Sequence, residues 1–127
     1  WSDLPEKFFV AELIREGIFR HLYQELPYSA AVVVEEFDEA SRAGGFVRIR
    51  ADIHIEKESQ KAIVIGKGGA MLKTVGTAAR HAIERFLGAH VHLELHVVVT
   101  RQWTRDPIEM KRLGYFSRDI LRGAPND

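Results

Sequence analysis

Hydrophobic residues along this chain change period as it proceeds. Phe8, Ala11, Ile14, Ile18 and Leu22 recur at threes and fours, which is one face of a helix and predicts helix over residues 4–26. Asp3 and Glu6, three apart, suit an N-terminal cap. Glu12, Arg15, Glu16 and Arg20 suit the solvated side, and Pro27 stops the helix. Residues 28–37 are rich in Val and aromatics and predict a strand. The acidic Glu35, Glu36, Asp38 and Glu39 end it as a solvated run, and Ala43-Gly44-Gly45 forms a loop. Residues 46–57 then alternate strictly. Val47, Ile49, Ala51, Ile53 and Ile55 share one face; Arg48, Arg50, Asp52, His54 and Glu56 share the other. That pattern is a strand with a core face and a wet or ligand-binding face.

Residues 59–65 are ambiguous from pattern alone. Ala62-Ile63-Val64-Ile65 reads as a short buried strand by propensity, whereas Ser59-Gln60-Lys61 reads as a capped helical turn. Residues 69–87 are a helix with the apolar stripe Leu72, Val75, Ala79, Ile83 and Phe86, ending at Gly88. Gly76 costs such a helix about 1 kcal/mol relative to alanine, so close packing against another backbone is expected there. Residues 90–100 alternate again, Val91, Leu93, Leu95, Val97 and Val99 against His90, His92, Glu94 and His96. Asp106-Pro107-Ile108-Glu109 starts a last helix that ends near Gly114, and the tail after Arg122 is frayed. The order predicts an α+β domain with helices on one face of a small sheet.

With 127 residues the chain has the length of one domain with a real core. It contains no cysteine, so it has no disulfide framework or thiolate metal site, and a reducing compartment fits. No apolar run is long enough to span a bilayer, and no signal-peptide pattern is present. The chain opens at Trp1, which is expected of a part excised from something longer.

The formal net charge is zero, and its distribution matters more than its sum. Residues 1–58 carry 7 basic and 12 acidic groups, residues 59–101 carry 6 and 2, and residues 102–127 carry 5 and 4. The positive excess sits around one stretch, Ile63-Val64-Ile65-Gly66-Lys67-Gly68-Gly69-Ala70. Three glycines in four residues point to a backbone that comes close to something, and the lone lysine makes that something anionic. A nucleotide-binding P-loop requires G-x-x-x-x-G-K-[ST]. Here Lys61 stands five before Gly66, and Gly68 follows Lys67, so that pattern fails. Gly66-Lys67-Gly68-Gly69 does fit the G-x-x-G loop that clamps the backbone of about four single-stranded nucleotides.

Several separate motifs carry a resemblance that runs from Phe8 to Tyr115. They are Ala11-Glu12-Leu13-Ile14-Arg15-Glu16, Glu25-Leu26-Pro27-Tyr28-Ser29, Ser59-Gln60-Lys61, Ile65-Gly66-Lys67-Gly68-Gly69, Leu93-Glu94-Leu95 and Leu113-Gly114-Tyr115. In this order they closely resemble the C-terminal KH domain of the bacterial Era GTPases. The resemblance implies a type II KH fold over residues 1–122, with a disordered tail at 123–127. Its sheet has three strands, two of them parallel, and residues 60–65 are helical. It further implies cytoplasmic binding of the 3′ end of small-subunit ribosomal RNA during assembly of the small ribosomal subunit. GTP chemistry belongs to an N-terminal GTPase domain absent from this chain, so the segment itself is no enzyme. Family members also associate peripherally with membranes, but no amphipathic anchor here argues for it. His96 and Val98 stand where the family commonly has Trp and Lys, which removes positive charge from that strand.

On this reading the backbone N–H groups of Gly66, Lys67, Gly68 and Gly69, with the Lys67 side chain, hold about two phosphates. Bases lie in a groove floored by Ile65, Leu72 and an edge of the strand at 46–57, flanked by Lys73 and Arg80. Leu72 is equally a core residue by its place in the stripe, and Lys73 and Arg80 are equally ordinary solvated charges. His90, His92 and His96, with His54 on the neighbouring strand, could be drawn as a zinc site. No tight histidine spacing or cysteine pair supports that, and alternating polar residues are the usual wet face of a sheet. No metal or other cofactor is expected. The rival function is a KH-like protein-interaction module, its acidic N-terminal half docking a partner or the GTPase domain.

Overall fold

The computed structural model describes residues 6–22, 30–101 and 107–108. Its elements are α1 (Glu6–Leu22), β1 (Ala31–Asp38), a short 3-10 turn (Arg42–Gly44), β2 (Phe46–Ile55), α2 (Glu58–Ile65), a second 3-10 turn (Lys67–Gly69), α3 (Ala70–Leu87) and β3 (His90–Val99). The sheet order is β1-β2-β3. β1 runs antiparallel to β2, with a register shift between Val34 and Glu36 that leaves Glu35 as an extra residue. β3 runs parallel to β2, from Phe46 opposite His90 to Ile55 opposite Val99. A parallel return needs a crossover, and α2, the loop and α3 supply it. This is the α+β arrangement the sequence pattern predicts, with the three-stranded mixed sheet that the resemblance implies.

The core lies between the sheet and its helices. Val10, Ile14 and Ile18 of α1 and Val75, Ala79 and Ile83 of α3 meet Val47, Ile49, Ala51, Ile53 and Ile55 of β2. Each fully buried isoleucine contributes about 1.5–3 kcal/mol. Gly17 of α1 lies beside Val75 of α3, where a Cβ would make an ordinary contact, 3.9 Å from both the Val75 side chain and its carbonyl oxygen. Arg42 donates to both Glu6 carboxylate oxygens at 2.6 and 3.0 Å and to Glu39 at 2.6 Å, tying the start of α1 to the turn after β1. Glu6 is therefore engaged by Arg42. Its expected capping partner Asp3 lies outside the described residues, as do most of the helix expected from Asp106 and the tail at 123–127; Pro107 and Ile108 are helical.

One ambiguity is settled by contacts, and one reading is overturned. Residues 58–65 are helix, and Lys57 rather than Ser59 stands at the cap. The Gln60 side chain closes the start, its Oε1 accepting the Glu56 and Lys57 N–H groups at 3.0 and 3.1 Å, while Val64 points into the core. His54 is a correction. Alternation places it on a wet face, yet it is 6% exposed, with Nδ1 2.9 Å from the Thr100 hydroxyl oxygen. Its cross-strand neighbours are Ala31 and Val98, and the carboxylates of Glu35 and Asp52 lie close by. Arg48, six residues away on the same face, is exposed as expected.

Candidate nucleic-acid interface

The glycine-lysine loop is built from backbone conformations that side chains resist. Gly66 has φ 76°, ψ 173°; Gly68 has φ 62°, ψ 20°; Gly69 has φ 80°, ψ 9°. The first lies in a region essentially reserved for glycine, the others in the left-handed region. The loop is closed by the Gly66 N–H donating to the Ala62 carbonyl at 2.9 Å and the Gly69 N–H donating to the Gly66 carbonyl at 3.1 Å. Lys67 and Gly68 are exposed at its tip. α3 begins immediately after, and the first N–H groups of a helix lack intrahelical acceptors and carry its positive dipole end. Backbone donors, a positive helix end and one lysine thus converge.

The three glycines have different reasons. A Cβ on Gly68 or Gly69 would meet nothing within 4 Å, so both leave open space outside the loop. A Cβ on Gly66 would lie 2.7 Å from the Met71 Cβ. Gly66 is demanded by the chain's own turn, a role distinct from the ligand clearance expected of all three.

From the loop a concavity of about 360 Å³ runs between α3 and β3. Gly69, Leu72, Lys73, Gly76, Thr77 and Arg80 line one side, Leu93 and Leu95 the other. Four of the expected site residues, Gly69, Leu72, Lys73 and Arg80, therefore meet in one groove. Gly66, Lys67 and Gly68 stand at its head, and the half-buried Ile65 at the end of α2 is not part of its lining. The expected wall on residues 46–57 is corrected. β2 is the central strand, hydrogen-bonded on both edges, so the free edge beside the groove belongs to β3. Leu93, Leu95, Gly76 and Thr77 were not among the expected site residues. Alternation already put Leu93 and Leu95 on the helix side of β3; which strand lies at the edge is a matter of topology.

Lys67 and Lys73 make no ion pair among the described residues. Arg80 does: it donates to Glu84 Oε2 at 3.1 Å and to His81 Nε2 at 3.1 Å. Glu84 also accepts the Val91 N–H at 2.9 Å. That backbone donor, followed by the Arg80 guanidinium, holds the Glu84 carboxyl below its ordinary range despite opposing desolvation. The groove is thus apolar at its base and cationic at its rim.

Among the described residues, one group of three potential metal ligands comes together: Glu35, Asp52 and His54, with ligand atoms within 4.8 Å of one another. His90, His92 and His96 are not in it. His92 and His96 pair across the sheet with Arg48 and Asp52, and His96 contacts Glu94 through Nε2 at 2.5 Å. No helix among the described residues is long and apolar enough to cross a membrane.

Residues 25–104 match the family model described as KH domain. The chain is 54% identical over 114 residues to the GTPase Era of Geotalea uraniireducens and 45% identical to that of Mycobacterium leprae, covering 90% of this chain and 38% of each relative. The chain therefore spans 38% of the length of these curated relatives. A crystal structure of Aquifex aeolicus Era bound to GDP and aluminium fluoride superimposes with TM-score 0.82 at 36% identity, over 89% of this chain and 38% of that one. A crystal structure of Era in complex with MgGDPNP and nucleotides 1506–1542 of 16S ribosomal RNA superimposes with TM-score 0.83 at 36% identity, over 89% and 37%. This chain belongs to the KH-domain family, in the form carried by the Era GTPases.

Proposed function

We propose that this chain binds single-stranded RNA, specifically the 3′ end of small-subunit ribosomal RNA, and does so in the cytoplasm during assembly of the small subunit. One observation carries the reading. A loop of positive-φ glycines with an exposed lysine opens onto an α3–β3 groove that is apolar at its base and cationic at its rim. Phosphates sit on the Lys67 and Gly68 N–H groups and the Lys67 ammonium. Bases lie over Leu72, Leu93 and Leu95, and Lys73 flanks them. An apolar floor favours unstacked, unpaired bases, while phosphate contacts position the strand without choosing its sequence. The solved Era complex with 16S ribosomal RNA supports the choice of RNA. GTP binding and hydrolysis belong to the GTPase domain of the full-length relatives, whose coupling to this module lies beyond this chain. Peripheral membrane contact draws no support from the described residues.

The test is a fluorescence-anisotropy titration with a single-stranded 3′-end fragment and with the same fragment annealed to its complement. The single strand binds at least tenfold more tightly. Equal binding of both forms, or binding of neither, contradicts the proposal.

A further inference from the structure

The face of the sheet turned away from the helices carries a group that RNA binding in the groove does not use. Glu35, Asp52 and His54 each bring one ligand atom to within 4.8 Å of the other two. Separate features of the chain place them. Glu35 is the extra residue at the register shift in β1, and a bulge re-aims a side chain that regular pairing would carry elsewhere. Asp52 and His54 are two residues apart on β2 and so share a face. Leu93 and Leu95 of the groove pair with Ile49 and Ala51 on the core face, so the sheet itself separates this group from the groove.

The surroundings differ from those of a solvated acidic run. His54 is buried, with Nδ1 2.9 Å from the Thr100 hydroxyl oxygen. With that oxygen as acceptor, Nδ1 carries the ring proton and Nε2 the lone pair that a metal takes. Metal-bound histidines hold their other N–H on an oxygen in this way, which fixes the tautomer and the ring. Asp52 Oδ1 is buried and has no hydrogen-bond partner among the described residues, an exception to the rule that buried polar atoms are paired. Neither Glu35 nor Asp52 forms an ion pair with a lysine or arginine among the described residues. Two carboxylates beside a neutral imidazole thus lack a cation of the protein's own.

We propose that Glu35, Asp52 and His54 bind one divalent transition-metal ion, zinc being the ion that best suits one imidazole with two carboxylates. The imidazole selects against magnesium and calcium, which prefer all-oxygen shells. Ligands at about 2.1 Å around a tetrahedral zinc stand about 3.4 Å apart, and rotation of the exposed Glu35 side chain closes the set to that spacing. Three protein ligands leave the fourth position to water. The ion fastens the bulge of β1 to the central strand and supplies the charge that Asp52 Oδ1 lacks. This site stands independently of the RNA-binding reading.

The experiment takes the chain, stripped of metal with a chelator, and titrates it with zinc chloride by calorimetry while thermal melts follow its stability. One zinc binds per chain and the melting temperature rises with zinc concentration, whereas millimolar magnesium does neither. Glu35→Gln, at an exposed position, keeps the metal-free melting temperature and lowers zinc affinity about tenfold or more, at least the cost of losing an outer-shell partner. Asp52→Asn lowers it likewise. The double variant His92→Ala with His96→Ala, which removes two exposed histidines outside the group, leaves zinc affinity unchanged. Absence of zinc binding overturns the site, since a protonated His54 then meets the carboxylates instead. Binding that survives Glu35→Gln, or that is lost in the His92 and His96 double variant, overturns it as well. Glu35→Gln decides the matter even if Asp52→Asn fails to fold.

Discussion

Gly66 and Met71 are packed so closely that a Cβ on Gly66 would stand 2.7 Å from the Met71 Cβ and 2.8 Å from its backbone nitrogen. Met71 lies in the first turn of α3, so this contact sets how the loop enters the helix. Gly66→Ala meets both a forbidden conformation and a backbone clash, and costs about 1–3 kcal/mol from the conformation alone. Gly68→Asn sits in the left-handed region with open space around it, which asparagine tolerates. Chemical denaturation of the two variants shows a large loss for the first and a small one for the second. Equal losses contradict this division of roles.

Gly76 and Leu95 face each other across the groove. A Cβ on Gly76 would lie 3.6 Å from Leu95 Cδ1, an ordinary contact with a side chain; the backbone approach expected there is absent. Gly76→Ala therefore stabilises α3 by up to about 1 kcal/mol while filling part of the groove. Melting temperature rises and RNA affinity falls. A variant that gains stability with unchanged affinity places the bases elsewhere.

Acid should destabilise the fold through two carboxylates. The Arg42 side-chain hydrogen bond holds Glu6 below its ordinary value, and the Val91 N–H does the same for Glu84, with Arg80 adding to it. A carboxyl lowered in the folded state stabilises it above its unfolded value, about pH 4.3. That contribution is lost as pH falls through the folded value. Thermal melts from pH 7 to pH 3 therefore show a decline below about pH 4.3 that Glu84→Gln flattens, with a lower melting temperature at pH 7. An unaltered acid profile in Glu84→Gln contradicts the assignment.

Salt should weaken RNA binding in proportion to the phosphates held. For single strands the slope of log K against log salt is roughly −0.7 per phosphate, so about −1.4 for two. Lys73→Ala, at the groove rim, lowers affinity and reduces the slope. A slope near zero in the parent chain contradicts phosphate contact.

Much of the fold was legible because period and burial agree. The alternation over Phe46–Ile55 and the stripe along Ala70–Leu87 each face a single core. Residues 59–65 were not legible from pattern, because eight residues of helix present only Val64 to the core; the family resemblance carried the helical reading. His54 was misread because alternation shows which way a side chain points and says nothing of what covers it. The loop glycines and Leu72, Lys73 and Arg80 were legible as a linear motif and a helix face. The opposite wall was not. Leu93 and Leu95 become groove residues only because β3 returns parallel to β2 and takes the edge of the sheet.

The central claim is that the main chain of the loop grips a sugar-phosphate strand. The most direct measurement is RNA affinity of the double variant Lys67→Asp with Gly68→Asp. Both positions are exposed, and Gly68 has room and a backbone that aspartate accepts, so the fold is kept and two negative charges face the phosphates. The account predicts at least a tenfold loss of affinity, about 1.4 kcal/mol, with an unchanged melting temperature. Unchanged affinity in the folded variant contradicts it.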